Sequence, residues 1–189
     1  MNGLGQICPV LTTARLTMAA HATSDFDDCH ALWSDRDVVR YIGGVPSTPT
    51  ETWARLLRYG GLWPLVGFGY WSVRETASGR FVGEVGLAEF HRDLTPSLIG
   101  APEAGWVLAP WAHGRGFARE ATTAMLRWAD VTLAAPRMVC MIDPENAPSL
   151  ALAGKIGFKP FAKAAYRGAP TVLLERFAPA TAEHAGESA

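Results

Sequence analysis

The run Trp106-Val-Leu-Ala-Pro-Trp-Ala-His-Gly-Arg-Gly-Phe-Ala-Arg-Glu120 constrains this chain more than any other stretch. Its apolar start, ended by Pro110, reads as a strand. Phe117, Ala121, Ala124, Met125 and Trp128 then recur at helical spacing, while Arg119, Glu120, Thr123, Arg127 and Asp130 face elsewhere, as an amphipathic helix requires. Gly114 and Gly116 lie between the two elements. Glycine allows positive φ and close backbone approach, so successive N–H groups can converge on an anion at the positive end of the helix. The turn lacks the GK[ST] of a Walker A loop, and Arg119 stands where the dinucleotide fingerprint has its third glycine. By itself it is equally a tight strand-to-helix turn.

Around this unit the period alternates. Strand patterns cover 15–18, 68–74, 80–90, 99–108, 137–142, 161–166 and 171–177, with a hairpin turn at Ala77-Ser78-Gly79. Helical patterns follow Ser24 to about residue 33, cover 35–41, run from Thr50 to Gly60-Gly61, and span 147–156 between Asn146 and Gly157. The order predicts one α/β (α+β) domain over 12–177, built around a mixed sheet of about six or seven strands between tails 1–11 and 178–189. The 189 residues are 49% hydrophobic and 19% charged, enough apolar matter for a core. Seventeen Lys and Arg against eighteen Asp and Glu offer no electrostatic case for nucleic acid. Cys8, Cys29 and Cys140, without a CxxC, suggest neither a disulfide framework nor a zinc knuckle. With no long apolar run and no basic leader at the start, the expectation is a cytoplasmic protein without a membrane segment.

The Gly-rich turn, the following strand 139–142, Asn146-x-x-Ser149 and Lys155-Ile-Gly-Phe158 together resemble the GCN5-related N-acetyltransferase (GNAT) superfamily, most closely its ribosomal-protein N-terminal acetyltransferase branch. Thr13-Ala-Arg-Leu-Thr17, Gly83-Glu-Val-Gly-Leu87, Gly105-Trp-Val-Leu108 and Ala118-Arg-Glu-Ala121 extend the resemblance over about 12–177. It implies a mostly antiparallel sheet, splayed where the cofactor lies, with acetyl-CoA as co-substrate, an amine as acceptor, no metal, and a monomer or homodimer. The amides of His113, Gly114, Arg115, Gly116, Phe117, Ala118 and Arg119 would hold the pyrophosphate. Trp106, Val107 and Leu108 would pair with pantetheine, and an N–H near Val107 or Leu108, freed by a bulge, would hold the oxyanion. The family's usual Gln or Arg at the first loop position is His113 here, whose charge follows pH. Asn146 and Ser149 would touch the cofactor arm. The tyrosine that many members place seven residues after the Asn is Ala153, which leaves Ser149 as the nearest acid.

Other readings come from the residues themselves. Glu84 and Glu103 fall in predicted strands, where a carboxylate faces either water or a site; in an acceptor cleft either can take the amine proton, directly or through water. Asn146 before Ala147-Pro148 is equally an ordinary helix cap. His91 can line the acceptor mouth, His21 and His30 read as surface or helix-face residues, and Cys140 as a small hydrophobe. Trp71, Trp106 and Trp128 suit the core, whereas Trp33, Trp53 and Trp63 fall in segments that would wall the acceptor cleft. Two rivals stand beside the enzyme: a non-catalytic acyl-CoA-binding module, favoured by Ala153, and a generic nucleotide-binding α/β domain.

Overall fold

The computed structural model describes residues 8–179; the greater part of both expected tails lies outside them. Eight strands form one open sheet in the order β1-β2-β3-β4-β5-β6-β8-β7. They are β1 (Leu11–Thr12), β2 (Leu16–Ala19), β3 (Tyr70–Glu75), β4 (Phe81–Ala88), β5 (Glu103–Leu108), β6 (Arg137–Ile142), β7 (Lys159–Tyr166) and β8 (Ala169–Phe177). All neighbours pair antiparallel except β5 and β6, which are parallel. The sheet exceeds the expected six or seven strands by β1, whose two residues are too few to show a period.

Helices α1 (Phe26–Ser34), α2 (Arg36–Val39) and α3 (Pro49–Val66) sit on one face, and α4 (Phe117–Thr132) and α5 (Ala147–Lys155) on the other. Alternation along β4 explains both layers, because successive side chains of a strand point to opposite faces. Val85 and Leu87 join Met125, Ala121 and Phe117 of α4, whereas Ala88 meets Tyr59 and Leu62 of α3.

The α3 helix begins as its sequence dictates: Thr48 accepts from the Glu51 amide, Glu51 reaches back to the Thr48 amide, and Pro49 occupies the first turn. It does not stop at Gly60-Gly61 as expected. Glycine costs about 1 kcal/mol in a helix interior, and burial of Leu62 and Trp63, worth ~1.5–3 kcal/mol each, outweighs that. Trp63 is therefore a core residue, edge-on to Trp71 and Trp128, and not part of a loop over the cleft. Likewise β5 starts at Glu103 and not at 99, because the chain turns at Leu98–Ala101 first.

Candidate active site

The register of β4 against β5 determines which amides of β5 are free. Gly83 pairs with Leu108, Glu84 with Val107, and so on to Ala88 with Glu103, without interruption. The Ala109 N–H donates to the Val82 carbonyl, so residues 109, 107, 105 and 103 bond to β4 while 108, 106 and 104 turn their amides toward β6. On that side the Val139 N–H donates to the Pro102 carbonyl, and Glu103 opposite Val139 is the last pair before the strands part. The sheet is thus splayed beyond Ala104, and Trp106 and Leu108 present their N–H groups to the gap. The expected bulge is absent from this register; divergence of β6 frees the amides instead, and of the two amides expected there Val107 is committed to β4 while Leu108 is free.

Beyond β5 the chain makes a short 3-10 turn over Pro110–Ala112 and enters α4 through Gly114 and Gly116, both with positive φ (71° and 80°). The first helical bond runs from the Glu120 amide to the Gly116 carbonyl, and no backbone partner takes the amides of Gly114 to Arg119 among the described residues. Six successive donors therefore converge at the positive end of a 16-residue helix. His113 departs from expectation: its amide donates to the Pro110 carbonyl and its ring Nε2 donates to the Leu108 carbonyl at 2.9 Å. It braces the end of β5, so the run of free amides begins at Gly114. Glu120 fixes the loop from behind. Its carboxylate accepts from the Thr13 hydroxyl (2.6 Å), the Arg15 amide (2.9 Å) and the Arg15 Nε (2.7 Å), and Arg15 also reaches the Arg115 carbonyl.

Across the gap, Asn146 caps α5, its side chain accepting from the Ser149 amide at 3.2 Å. Ser149 in turn accepts from the Trp106 indole at 3.3 Å. Trp106 of β5 and Ser149 of α5 therefore touch across the gap. Ala153, where a tyrosine was the family expectation, is completely buried in the core.

The other face of β4 and β5 carries the carboxylates. Glu84 is 1% exposed. The Trp33 indole donates to its Oε2 at 2.8 Å, the Cys29 thiol lies beside it, and His21 Nε2 lies 3.4 Å from its Oε1. Burial alone would raise the Glu84 carboxyl, but His21, Trp33 and Cys29 outweigh it and hold the group below the ordinary range. Burial, with Glu84 beside it, pushes the Cys29 thiol well up. His21 is not the surface residue expected: it is enclosed, and neither ring nitrogen has a hydrogen-bond partner. His30 fits its helix-face reading and meets the Thr52 hydroxyl at 3.1 Å.

Glu103 is gripped at both oxygens by Arg92, at 2.7 and 2.8 Å. One lone pair on each oxygen stays available. Glu103 lines a narrow crevice with Phe90, His91 and Arg92. Of the tryptophans expected to wall a cleft, Trp33 is buried on Glu84 and Trp53 is exposed.

Residues 15–159 match the family model described as an acetyltransferase (GNAT) domain. The chain belongs to the GNAT acetyltransferases. A Bordetella pertussis structure assigned to GnaT-family acetyltransferases is 34% identical, covers 89% of this chain and 99% of its own, and superposes with a TM-score of 0.80. An uncharacterized N-acetyltransferase, p20 of Bacillus licheniformis, is 25% identical over 79% of this chain and 82% of its own. A Vibrio cholerae spermidine N-acetyltransferase, in complex with CoA and spermine, shares the fold at 19% identity, with a TM-score of 0.70 over 88% of this chain and 97% of its own. In this GNAT chain the loop, β5 and the Asn146–Ser149 pair form one continuous rim along the splay. Glu84 and Glu103 stay on the opposite face, separated from each other along the sheet by the pairs Val85–Trp106, Gly86–Gly105 and Leu87–Ala104.

Sequence reasoning missed the partners of the carboxylates. Arg92 sits in an aperiodic loop, and His21 follows β2 with no motif around it. The sequence does carry one signal for a third residue, Tyr70. Isolated glycines inside strands mark close approach of another group, and Gly86 and Gly105, directly paired across β4 and β5, both lie beneath its ring.

Proposed function

We propose that the chain transfers an acetyl group from acetyl-CoA to a primary amine, on a protein N-terminus or a small molecule, by direct attack on the thioester. The observation that carries this reading is the splay itself: two unpaired strand amides, at Trp106 and Leu108, lead without a break into six free amides at the start of α4. An extended arm with amide groups can pair with the strand while its pyrophosphate rests on the loop. The residues present fit that cofactor. The amides of Gly114 to Arg119 would hold the phosphates, the Leu108 N–H would take a pantetheine amide, the Trp106 N–H, one pair further from the loop, would receive the developing oxyanion, and Ser149 beside the Trp106 indole would donate to the departing sulfur.

The acceptor enters from the α1–α3 face. Glu103, on the crevice, takes its proton, while Glu84 is too enclosed to reach an amine and anchors His21 and Trp33 instead. The spermidine acetyltransferase that shares this fold supports an amine as acceptor. Holding the two substrates in attack geometry supplies much of the acceleration.

Release of CoA thiol in the presence of peptide N-termini, polyamines and amino acids tests the reading; at least one amine should be acetylated at its nitrogen. Ala153 favours a second reading, a non-catalytic acyl-CoA-binding module, because no tyrosine hydroxyl stands at that position. Acetyl-CoA binding without transfer to any amine would decide for it.

A further inference from the structure

Tyr70 opens β3 and pairs with Gly86 of β4, which in turn pairs with Gly105 of β5. Its side chain runs flat across these glycines. A Cβ at Gly86 would meet Tyr70 Cγ, and one at Gly105 would fall on the Tyr70 hydroxyl, 3.1 Å from Cζ. Only paired glycines let the ring cross a whole strand and set its oxygen on β5, beside the residue whose amide faces the splay. Tyr59 stacks on the ring at 4.4 Å and 9°, and the Trp63 indole donates to the Tyr70 carbonyl at 3.2 Å. Yet no described residue hydrogen-bonds the hydroxyl, and it is not among the enclosed unpaired polar atoms. The structure therefore holds a packed tyrosine whose hydroxyl is unpaired and not fully enclosed.

Glu103 projects from β5 two residues before Gly105 and so on the same face. Burial, then the Glu103 carboxylate, push the Tyr70 phenol well above its ordinary value, so the hydroxyl keeps its proton at neutral pH and can donate to that carboxylate. Arg92 tethers Glu103 and keeps it turned to the crevice.

We infer that Tyr70 is a catalytic residue that relays the proton of the acceptor amine to Glu103. Its oxygen accepts a hydrogen bond from the amine N–H and its O–H donates to Glu103. As the amine lone pair forms the C–N bond at the thioester carbon, the amine proton moves to Tyr70 Oη and the Oη proton to the carboxylate. The C–S electrons leave on CoA sulfur, and the proton held by Glu103 later returns to thiolate or solvent. The inference rests on the acetyl-transfer reading above.

Tyr70→Phe keeps the ring, the stack on Tyr59 and the glycine trough, and removes only the oxygen. With an amine that the parent acetylates, kcat should fall ~10²-fold, near the low end for a positioned acid or base, while acetyl-CoA affinity and Tm stay at parental values. The rate of the variant should keep rising with pH where that of the parent has levelled, because only the parent has a built-in route for the proton. Gly105→Ala, which displaces the hydroxyl, should cost a similar factor, and the double variant should lose no more than either single one. A parent inactive on every amine would overturn the acetyl-transfer reading and this relay together. An active parent whose Tyr70→Phe variant keeps kcat and pH profile would overturn the relay alone, as would full additivity of the two substitutions.

Discussion

Gly116→Val separates the two things the loop does. Gly116 caps α4 with φ 80° and ψ 0°, a left-handed conformation that costs an L-residue roughly 1–2 kcal/mol. Space inside the protein is not the obstacle, since an added Cβ would meet only Arg15 Nη2, at 3.5 Å. For a chain of this size the strain lowers Tm by about 2–8 °C, which leaves a protein of ordinary stability folded. Affinity should suffer more. The branched side chain stands where the six loop amides converge, and losing even one hydrogen bond to a charged phosphate, ~1.5–3 kcal/mol, weakens acetyl-CoA roughly 10–150-fold. Thermal melting and calorimetric titration with acetyl-CoA read the two effects separately. A variant that melts several degrees lower but binds as tightly as the parent would refute the placement of the pyrophosphate on this loop.

Glu103→Gln should lower kcat by ~10²–10⁴ in steady-state assays, whereas Glu84→Gln should register chiefly as a lower Tm, because it removes the charge facing the enclosed His21. Ser149→Ala should slow turnover only about 10–100-fold, at or below the low end for general-acid catalysis, with acetyl-CoA affinity nearly kept; a loss of affinity that explains the whole effect would reassign Ser149 to binding. The Glu120 carboxyl, despite the opposing effect of burial, is held below its ordinary value of 4.5 by Thr13 and Arg15. Its contribution to stability is therefore complete above that value and drains as pH falls through the lower, folded one. Melting curves taken from about pH 5 down to pH 3 should show the parent losing more Tm than Glu120→Gln.

The loop and cap proposed to hold the cofactor were legible in the sequence as local structure, because their determinants are contiguous. Two glycines between a strand pattern and a helical pattern are a contiguous signal, and Asn146-Ala-Pro-Ser149 announces its own cap. The acceptor side was not, because it is made by pairing distant segments. Glu103 and Arg92 meet across a loop, Glu84 and His21 across strands that are far apart in the chain, and Tyr70 reaches β5 only because Gly86 and Gly105 fall in register. His113 shows the same limit within the loop: its place was clear, but its commitment to the Leu108 carbonyl depends on where the end of β5 lies. Ala153 gains a meaning that composition could not supply. Completely buried, it has no vacant slot for the family's tyrosine, so Ala153→Tyr would overpack the core at a cost of about 1–3 kcal/mol instead of restoring an acid.

The most direct test is a crystal structure with a non-hydrolysable acetyl-CoA analogue. The account predicts a carbonyl oxygen within hydrogen-bond distance of the Trp106 amide, a pantetheine amide on Leu108, and the pyrophosphate on the amides of Gly114 to Arg119. A pantetheine arm lying outside the gap between β5 and β6 would contradict it.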